Sequence, residues 1–158
     1  MTSETNRATA TGKLTWDIID AATGAILESH ECENLVVTAG LNVIRDCFNN
    51  GTGVAITHFG LGAGAGANTA AAAGQTDLQG ATKIRDSLTG KIGTSDAELV
   101  CQYYLTSATG NGNTFEEAGL FTAASGGTMY NRLVLGSPII KTASVAVSFV
   151  WTLTWAGV

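Results

Sequence analysis

The chain ends in a segment that alternates large apolar residues with small or polar ones from Val145 onward. Because successive side chains of a β-strand point to opposite faces, this alternation predicts one long strand with a heavily apolar face. Its β-branched and aromatic content favours the same structure. The large side chains on the apolar parity are Val145, Val147, Phe149, Trp151, Leu153 and Trp155, and Val150 is the one exception on the other parity.

The first third of the chain repeats this alternation. Apolar residues alternate with polar ones along Lys13–Asp20, and the turn-forming residues of Asp20–Gly24 separate that segment from a second extended one, Ala25–His30. We expect a hairpin closed by a short loop that contains Gly. The extended chain continues after it through Asn34–Val37.

One short amphipathic helix is predicted over about residues 39–48. Thr38 is a suitable N-cap, and the run Asn49–Gly51 follows the last apolar position, where Asn and Gly commonly end helices. The apolar residues at helical spacing between them are Leu41, Ile44 and Phe48.

Short extended segments separated by Gly-rich and Asn-rich turns make up most of the remaining chain. Pro138 is expected to mark the loop before the last strand. Gly62–Gly74 lacks apolar periodicity and is expected to form a long Gly/Ala-rich loop. This order favours a mainly β fold, an antiparallel β-sandwich or jelly-roll-like domain, over a parallel α/β fold. The additional strands are predicted at Ile56–Leu61, Glu98–Thr106, Thr114–Phe121 and Thr128–Leu135.

A length of 158 residues suits one domain. We assign residues 13–158 to a single β-sandwich domain and residues 1–12 to an N-terminal arm that is flexible or bound to a partner. Only 13% of the residues are charged and the net charge is −5, so we expect no binding of nucleic acid or acidic membranes. Without a visible signal peptide or membrane-spanning run, we expect a soluble protein made inside a cell.

The cysteines are odd in number and include no CxxC pair. A disulfide framework needs an even and denser set in a small secreted chain. Cys32, Cys47 and Cys101 are therefore expected to be buried free thiols in a protein made in a reducing cytoplasm.

Several residues invite comparison with known kinds of site. The Gly60–Gly66 run is not followed by the Gly-Lys-Ser/Thr sequence or the helix that a phosphate loop needs. His30 and Cys32 lack a second ligand cluster at the spacing of a zinc site. Glu116 and Glu117 are adjacent, so on a strand they are expected to point to opposite faces and not to flank one glycosidic bond. We therefore predict no enzymatic activity and no catalytic, cofactor-binding or metal-binding residues.

The aromatic residues divide between the core and the surface. Trp16, Trp151 and Trp155 all fall on apolar parities, where core packing is expected. Of the three, Trp155 near the chain end is the candidate to reach a subunit interface instead, since aromatic residues are enriched there. Tyr104 and Tyr130 are further candidate interface residues.

One function that a β-sandwich with several aromatic residues allows is that of a carbohydrate-binding module for host-surface recognition. It requires aromatic side chains that stack on sugars from one flat or grooved surface. At least two side chains of one set would then be exposed together: Tyr103, Tyr104, Tyr130 and Trp155.

Four segments in a fixed order cover most of the chain from about Asn34 to Trp155. They are Asn34–Leu41 with the pattern NLVVxxGL, Phe59–Gly64 through Thr76–Leu78 with GxGxxxxxxxxTxL, Thr114–Met129 with EAGLFxxxSGGTM, and Ile139–Thr142 with the final strand, similar to I-K-T…W-T-L-T. In this order the segments resemble those of small tail-associated virion proteins of tailed bacteriophages.

This resemblance implies a non-enzymatic structural protein of the phage particle, such as a tail fibre or baseplate-associated subunit. The small size and the N-terminal arm also allow a capsid cement or decoration protein. We expect a homo-oligomer, with a trimer favoured, bound to tail, baseplate or major capsid proteins of the virion. Its synthesis would take place in the host bacterial cytoplasm.

Overall fold

The computed structural model is a sandwich of two five-stranded antiparallel sheets. It describes residues 9–50, 54–94 and 97–156, which include a single helix. The elements are β1 (Thr9–Asp20), β2 (Ile26–Glu33), β3 (Leu35–Val36), α1 (Thr38–Asn50), β4 (His58–Ala63), β5 (Thr82–Ser87), β6 (Gly90–Thr94), β7 (Glu98–Leu105), β8 (Thr114–Phe121), β9 (Met129–Ile140) and β10 (Val145–Ala156).

Sheet A has the strand order β2-β1-β10-β7-β6, and sheet B the order β3-β9-β8-β4-β5. The predicted long C-terminal strand is confirmed as β10, which lies in the middle of sheet A between β1 and β7. The core forms between the two sheets. The ring of Phe59 in β4 lies 4.9 Å from that of Tyr103, 4.8 Å from that of Phe149 and 5.8 Å from that of Trp151, so one residue of sheet B joins three of sheet A.

The predicted hairpin and helix are also confirmed. β1 and β2 pair across the turn at Asp20–Gly24, where the Asp20 carboxylate accepts hydrogen bonds from the backbone of Ala22 and Thr23. α1 lies against β9, and Gly40 sits directly on the Tyr130 carbonyl, where a Cβ atom would collide with the backbone. The side chains of residues 45 and 47–50 lie outside the described part of the chain.

The prediction that Pro138 lies in a loop is wrong, because Pro138 belongs to β9. In the ladder between β8 and β9, Phe115 pairs with Ile139 while Glu117 pairs with Val134. The extra residues of β9 therefore form a bulge, where a proline breaks no ladder hydrogen bond. The loop before β10 comes after Ile140 instead.

Sheet edges account for the other differences from the sequence prediction. The edge strands β5 and β6 were not predicted, since most of their side chains are exposed and show no apolar alternation. Residues 9–12, assigned to the arm, belong to β1 and pair with β10. The rest of the predicted arm, residues 1–8, lies outside the described residues.

Candidate functional site

The segment between β4 and β5, residues 64–81, lies packed on the outer face of sheet B, and we call it the Gly/Ala-rich segment. The predicted loop begins two residues later than expected, because Gly62 and Ala63 belong to β4. Gly60 and Gly119 lie under this segment, and a Cβ atom on either would come 3.2 Å from the Leu78 side chain. At Gly62 an added Cβ would collide with the Glu117 carboxylate. The alternation of Gly in β4 thus leaves room on the outward side of the strand for the segment that covers it.

A fully buried ion pair holds this segment in place. Arg132 Nε donates to Glu117 Oε2 at 2.6 Å, and both side chains are 0% exposed. A buried pair of this kind is tolerated when its remaining hydrogen-bonding groups are also satisfied. The guanidinium donates further to Ala67 O, Thr69 O and Gln75 Oε1, and the carboxylate accepts from the backbone N–H groups of Gln79 and Gly80.

These contacts make Glu117 a structural residue. Its carboxylate is neutralised by Arg132 and accepts hydrogen bonds from backbone donors, whereas the neighbouring Glu116 is half-buried at the bulge of β8. The regular alternation expected for the two glutamates does not hold here, because Phe115 and Ala118 both belong to the core on either side of the bulge. Arg132 was not predicted to take part in any site, because no pattern in the sequence connects it with Glu117.

A second buried cation organises the turn between β7 and β8. Lys141 is 1% exposed, and burial lowers the pKa of its ammonium group. Its Nζ donates to Asn111 Oδ1 at 2.8 Å and to the carbonyls of Ser107 and Thr142 at 3.2 and 2.9 Å. No pattern in the sequence indicates this role, since Ser107 and Asn111 lie in a different turn from the lysine.

The residues considered as metal ligands have other partners. The His30 ring stacks on Trp16 at 5.2 Å, and its Nε2 lies 2.9 Å from Glu28 Oε2. Cys32 Sγ lies 3.6 Å from the carbonyl oxygen of Val134. Within the described residues, no group of three His, Cys, Asp or Glu side chains is placed to hold a metal ion.

The described cysteine side chains are free thiols, as predicted. Cys101 is fully buried in the core, and burial raises the pKa of its thiol from 9.0 to about 11. Cys32 is half-buried rather than buried. The Cys47 side chain lies outside the described part of the chain.

The three candidate interface residues do not share one exposed surface. Trp155 is half-buried and donates from Nε1 to the Tyr130 hydroxyl at 3.3 Å, whereas Tyr130 itself is only 2% exposed. Tyr104 is 43% exposed and lies on the outward face of sheet A. Tyr103 is buried and donates to Asp86, so the four aromatic residues do not form the exposed sugar-stacking surface that the carbohydrate-binding alternative requires.

An open apolar groove of about 220 Å³ runs along the helix end of the sandwich beside Trp155. Val54, which lines the groove, is 56% exposed, and Leu41 in α1 is 48% exposed. The groove lies between α1, the chain before β4 and the start of β7. The apolar side chains that line it include Val43, Ile44, Val54, Ile56, Leu99 and Trp155.

No protein-family model, curated protein or solved structure matches the chain. In the described residues, no helix is long and apolar enough to cross a membrane. The functional interpretation therefore depends on the geometry of the chain and on its sequence motifs.

Proposed function

We propose that the protein is a non-enzymatic structural subunit of a tailed-bacteriophage particle, assembled there as an oligomer. The observation that carries this proposal is the apolar groove at the helix end of the sandwich, with Trp155 half-buried and Val54 and Leu41 exposed beside it. Apolar and aromatic side chains are enriched in the cores of subunit contacts. A contact with a neighbouring subunit would remove this surface from water.

The residues behind the phage resemblance support the proposal through the fold. Glu117 in the EAGLF segment belongs to the buried ion pair, Gly40 in the NLVV segment lets α1 approach β9, and Lys141 in the closing segment organises a turn. Each of these residues is needed for packing. This agrees with motifs that specify a shared architecture and carry no catalytic role.

Two positions in the particle fit such a subunit. One is the tail, as a fibre or baseplate-associated subunit, and the other is the capsid surface, as a cement protein on the major capsid protein lattice. Cryo-electron microscopy of intact particles distinguishes them, because the sandwich would appear at the tail tip in the first case and at the capsid axes in the second.

The test uses purified particles of a phage that encodes the chain. Peptide mass spectrometry should find the protein in stoichiometric amounts, and its absence from particles would contradict the proposal. Val54→Glu, which places a charge beside the groove, should reduce incorporation severalfold because a charge in an interface core must be desolvated. Ile140→Glu, at a 70% exposed position away from the groove, is the matched control.

A further inference from the structure

No other element of the described chain covers the outward face of sheet A. β7 and β10 direct small, polar or apolar side chains outward, and β6 continues the same surface at the edge of the sheet. We name this surface the uncharged face. Its outward residues are Gly90, Ile92 and Thr94 in β6, Val100, Gln102 and Tyr104 in β7, and Ser148, Val150, Thr152 and Thr154 in β10.

Charge is almost absent from this face. Among the described outward positions of the three strands, only Glu98 at the start of β7 is charged. The lysine of β6, Lys91, points inward instead and donates from Nζ to the Ile56 carbonyl at 3.1 Å. Two large apolar or aromatic side chains stand out from the face, Ile92 at 54% exposure and Tyr104 at 43%.

The opposite edge of the same sheet is acidic. β2 carries Glu31 and Glu33 at outward positions, while Glu28 pairs with Ile18 and has the inward parity. The lysine beside them is Lys13, whose Nζ lies 2.5 Å from Glu31 Oε2. In a chain of net charge −5, two copies that met along β2 would bring like charges together. The uncharged face avoids this repulsion.

We propose that the uncharged face is a self-association surface, on which a second copy of this chain packs with the same face about a two-fold axis. Like charges disfavour the acidic β2 edge, whereas a neutral Thr, Val and Tyr surface meets its own copy without repulsion. The proposal rests on the oligomeric part of the proposed function and adds a second contact surface to the apolar groove.

The area of the uncharged face indicates how strongly two copies of the chain should associate. β6 pairs with β7 over five residues and β7 with β10 over eight. Three strands about 4.8 Å apart over that length cover roughly 300–400 Å², which is at most about half of the contact area per partner in a standard interface. We therefore expect association that depends on concentration in the micromolar range. A contact between identical faces builds a dimer, or a hexamer from two trimers, but never a trimer alone.

Sedimentation equilibrium of the full chain tests the proposal. Between about 5 and about 500 micromolar, a range that brackets micromolar association, the mass should rise to that of an even-numbered oligomer. Tyr104→Glu and Ile92→Glu should each weaken association by roughly tenfold or more, because each removes an interface anchor and opposes its own copy with a like charge. Both side chains are exposed, so the fold should tolerate both changes.

Ile140→Glu adds the same charge at an exposed position on sheet B and should keep the wild-type mass. A chain that is monomeric up to the highest concentration, or an isolated trimer, would overturn the proposal. Glutamate variants that associate as well as the wild type would do so too. An isolated trimer that is still found in particles would leave the proposed virion role intact, so the two proposals fail separately.

Discussion

Arg132 contacts more of the Gly/Ala-rich segment than any other single side chain described above. It reaches three acceptors in that segment and the Glu117 carboxylate, all from a fully buried position. Removing one partner of such a pair leaves an uncompensated buried charge.

Arg132→Met should lower the free energy of unfolding by about 3–5 kcal/mol, because Glu117 would remain buried without its cation. Urea denaturation measures this change. Lys13→Met is the matched control, since the Lys13–Glu31 pair is 47% and 67% exposed and such pairs contribute about 1 kcal/mol or less. Equal effects of the two substitutions would contradict the structural role of Arg132.

Cys101 makes stability depend on pH in the alkaline range. Its folded-state pKa, raised by burial from 9.0 to about 11, favours the neutral thiol in the folded protein. The resulting stability is complete below pH 9 and is lost as the pH rises from 9 to about 11. The loss should amount to about 2–3 kcal/mol.

Cys101→Ala isolates this contribution from other groups that titrate at high pH. We subtract the unfolding free energy of the variant from that of the wild type. This difference should fall by about 2–3 kcal/mol between pH 9 and about 11, as measured by urea denaturation at several pH values. A difference that stays constant with pH would show that the thiol does not titrate in this way.

At the scale of single residues, the sequence predicts free thiols and core tryptophans well, because composition and parity are local properties. It does not predict the Arg132–Glu117 or Lys141–Asn111 contacts. The Arg132–Glu117 pair forms only after β8 and β9 pair in a register that contains a bulge. A pattern along one strand contains no information about that register.

At the scale of elements, β4 and the segment that covers it form one unit. The inward side chains of β4 are core residues, while its outward positions lie against other side chains: Gly60 against Leu78 of the covering segment and Gly62 against Glu117. The strand is therefore buried on both faces although it belongs to an antiparallel sheet.

Gly62→Ala should destabilise the protein by about 1–3 kcal/mol, because the new methyl group would collide with the Glu117 carboxylate and disturb its ion pair. Limited proteolysis should then cut the Gly/Ala-rich segment faster. Gly74→Ala is the control, since its Cβ would meet nothing within 4 Å. Similar melting temperatures and cleavage rates for the two variants would contradict this packing.

Elements whose side chains alternate in burial can be predicted from the sequence, and strands that are mostly exposed cannot. β1 and β10 alternate buried side chains with less buried ones over most of their length, so their periodicity is visible in the sequence. β5 and β6 are edge strands with mostly exposed side chains, and hydrogen bonds to β4 and β7 define them. Such pairing leaves no apolar pattern to read.

For the whole molecule, the shared core predicts that both sheets unfold together. All three tryptophans lie in β1 and β10 of sheet A, so tryptophan fluorescence reports on that sheet, while far-ultraviolet circular dichroism reports on both. Leu120→Ala in sheet B should cost about 2–5 kcal/mol and shift both urea midpoints equally. Ile140→Ala, at an exposed site, should shift neither.

A fluorescence midpoint that stays unchanged in Leu120→Ala, while the circular dichroism transition moves or divides, would contradict a single cooperative domain. Coincident transitions would support the assignment of the sandwich to one folding unit.

The sequence by itself determined the class of fold, the strand that forms the centre of sheet A, the helix and the low surface charge. Each follows from local periodicity or composition, which act on neighbouring residues. Only the tertiary structure decided the strand order, the bulge at Pro138, the covering of sheet B by the Gly/Ala-rich segment and the uncharged face of sheet A. These features depend on contacts between residues far apart in the chain, and such contacts exist only once the sheets have paired and packed.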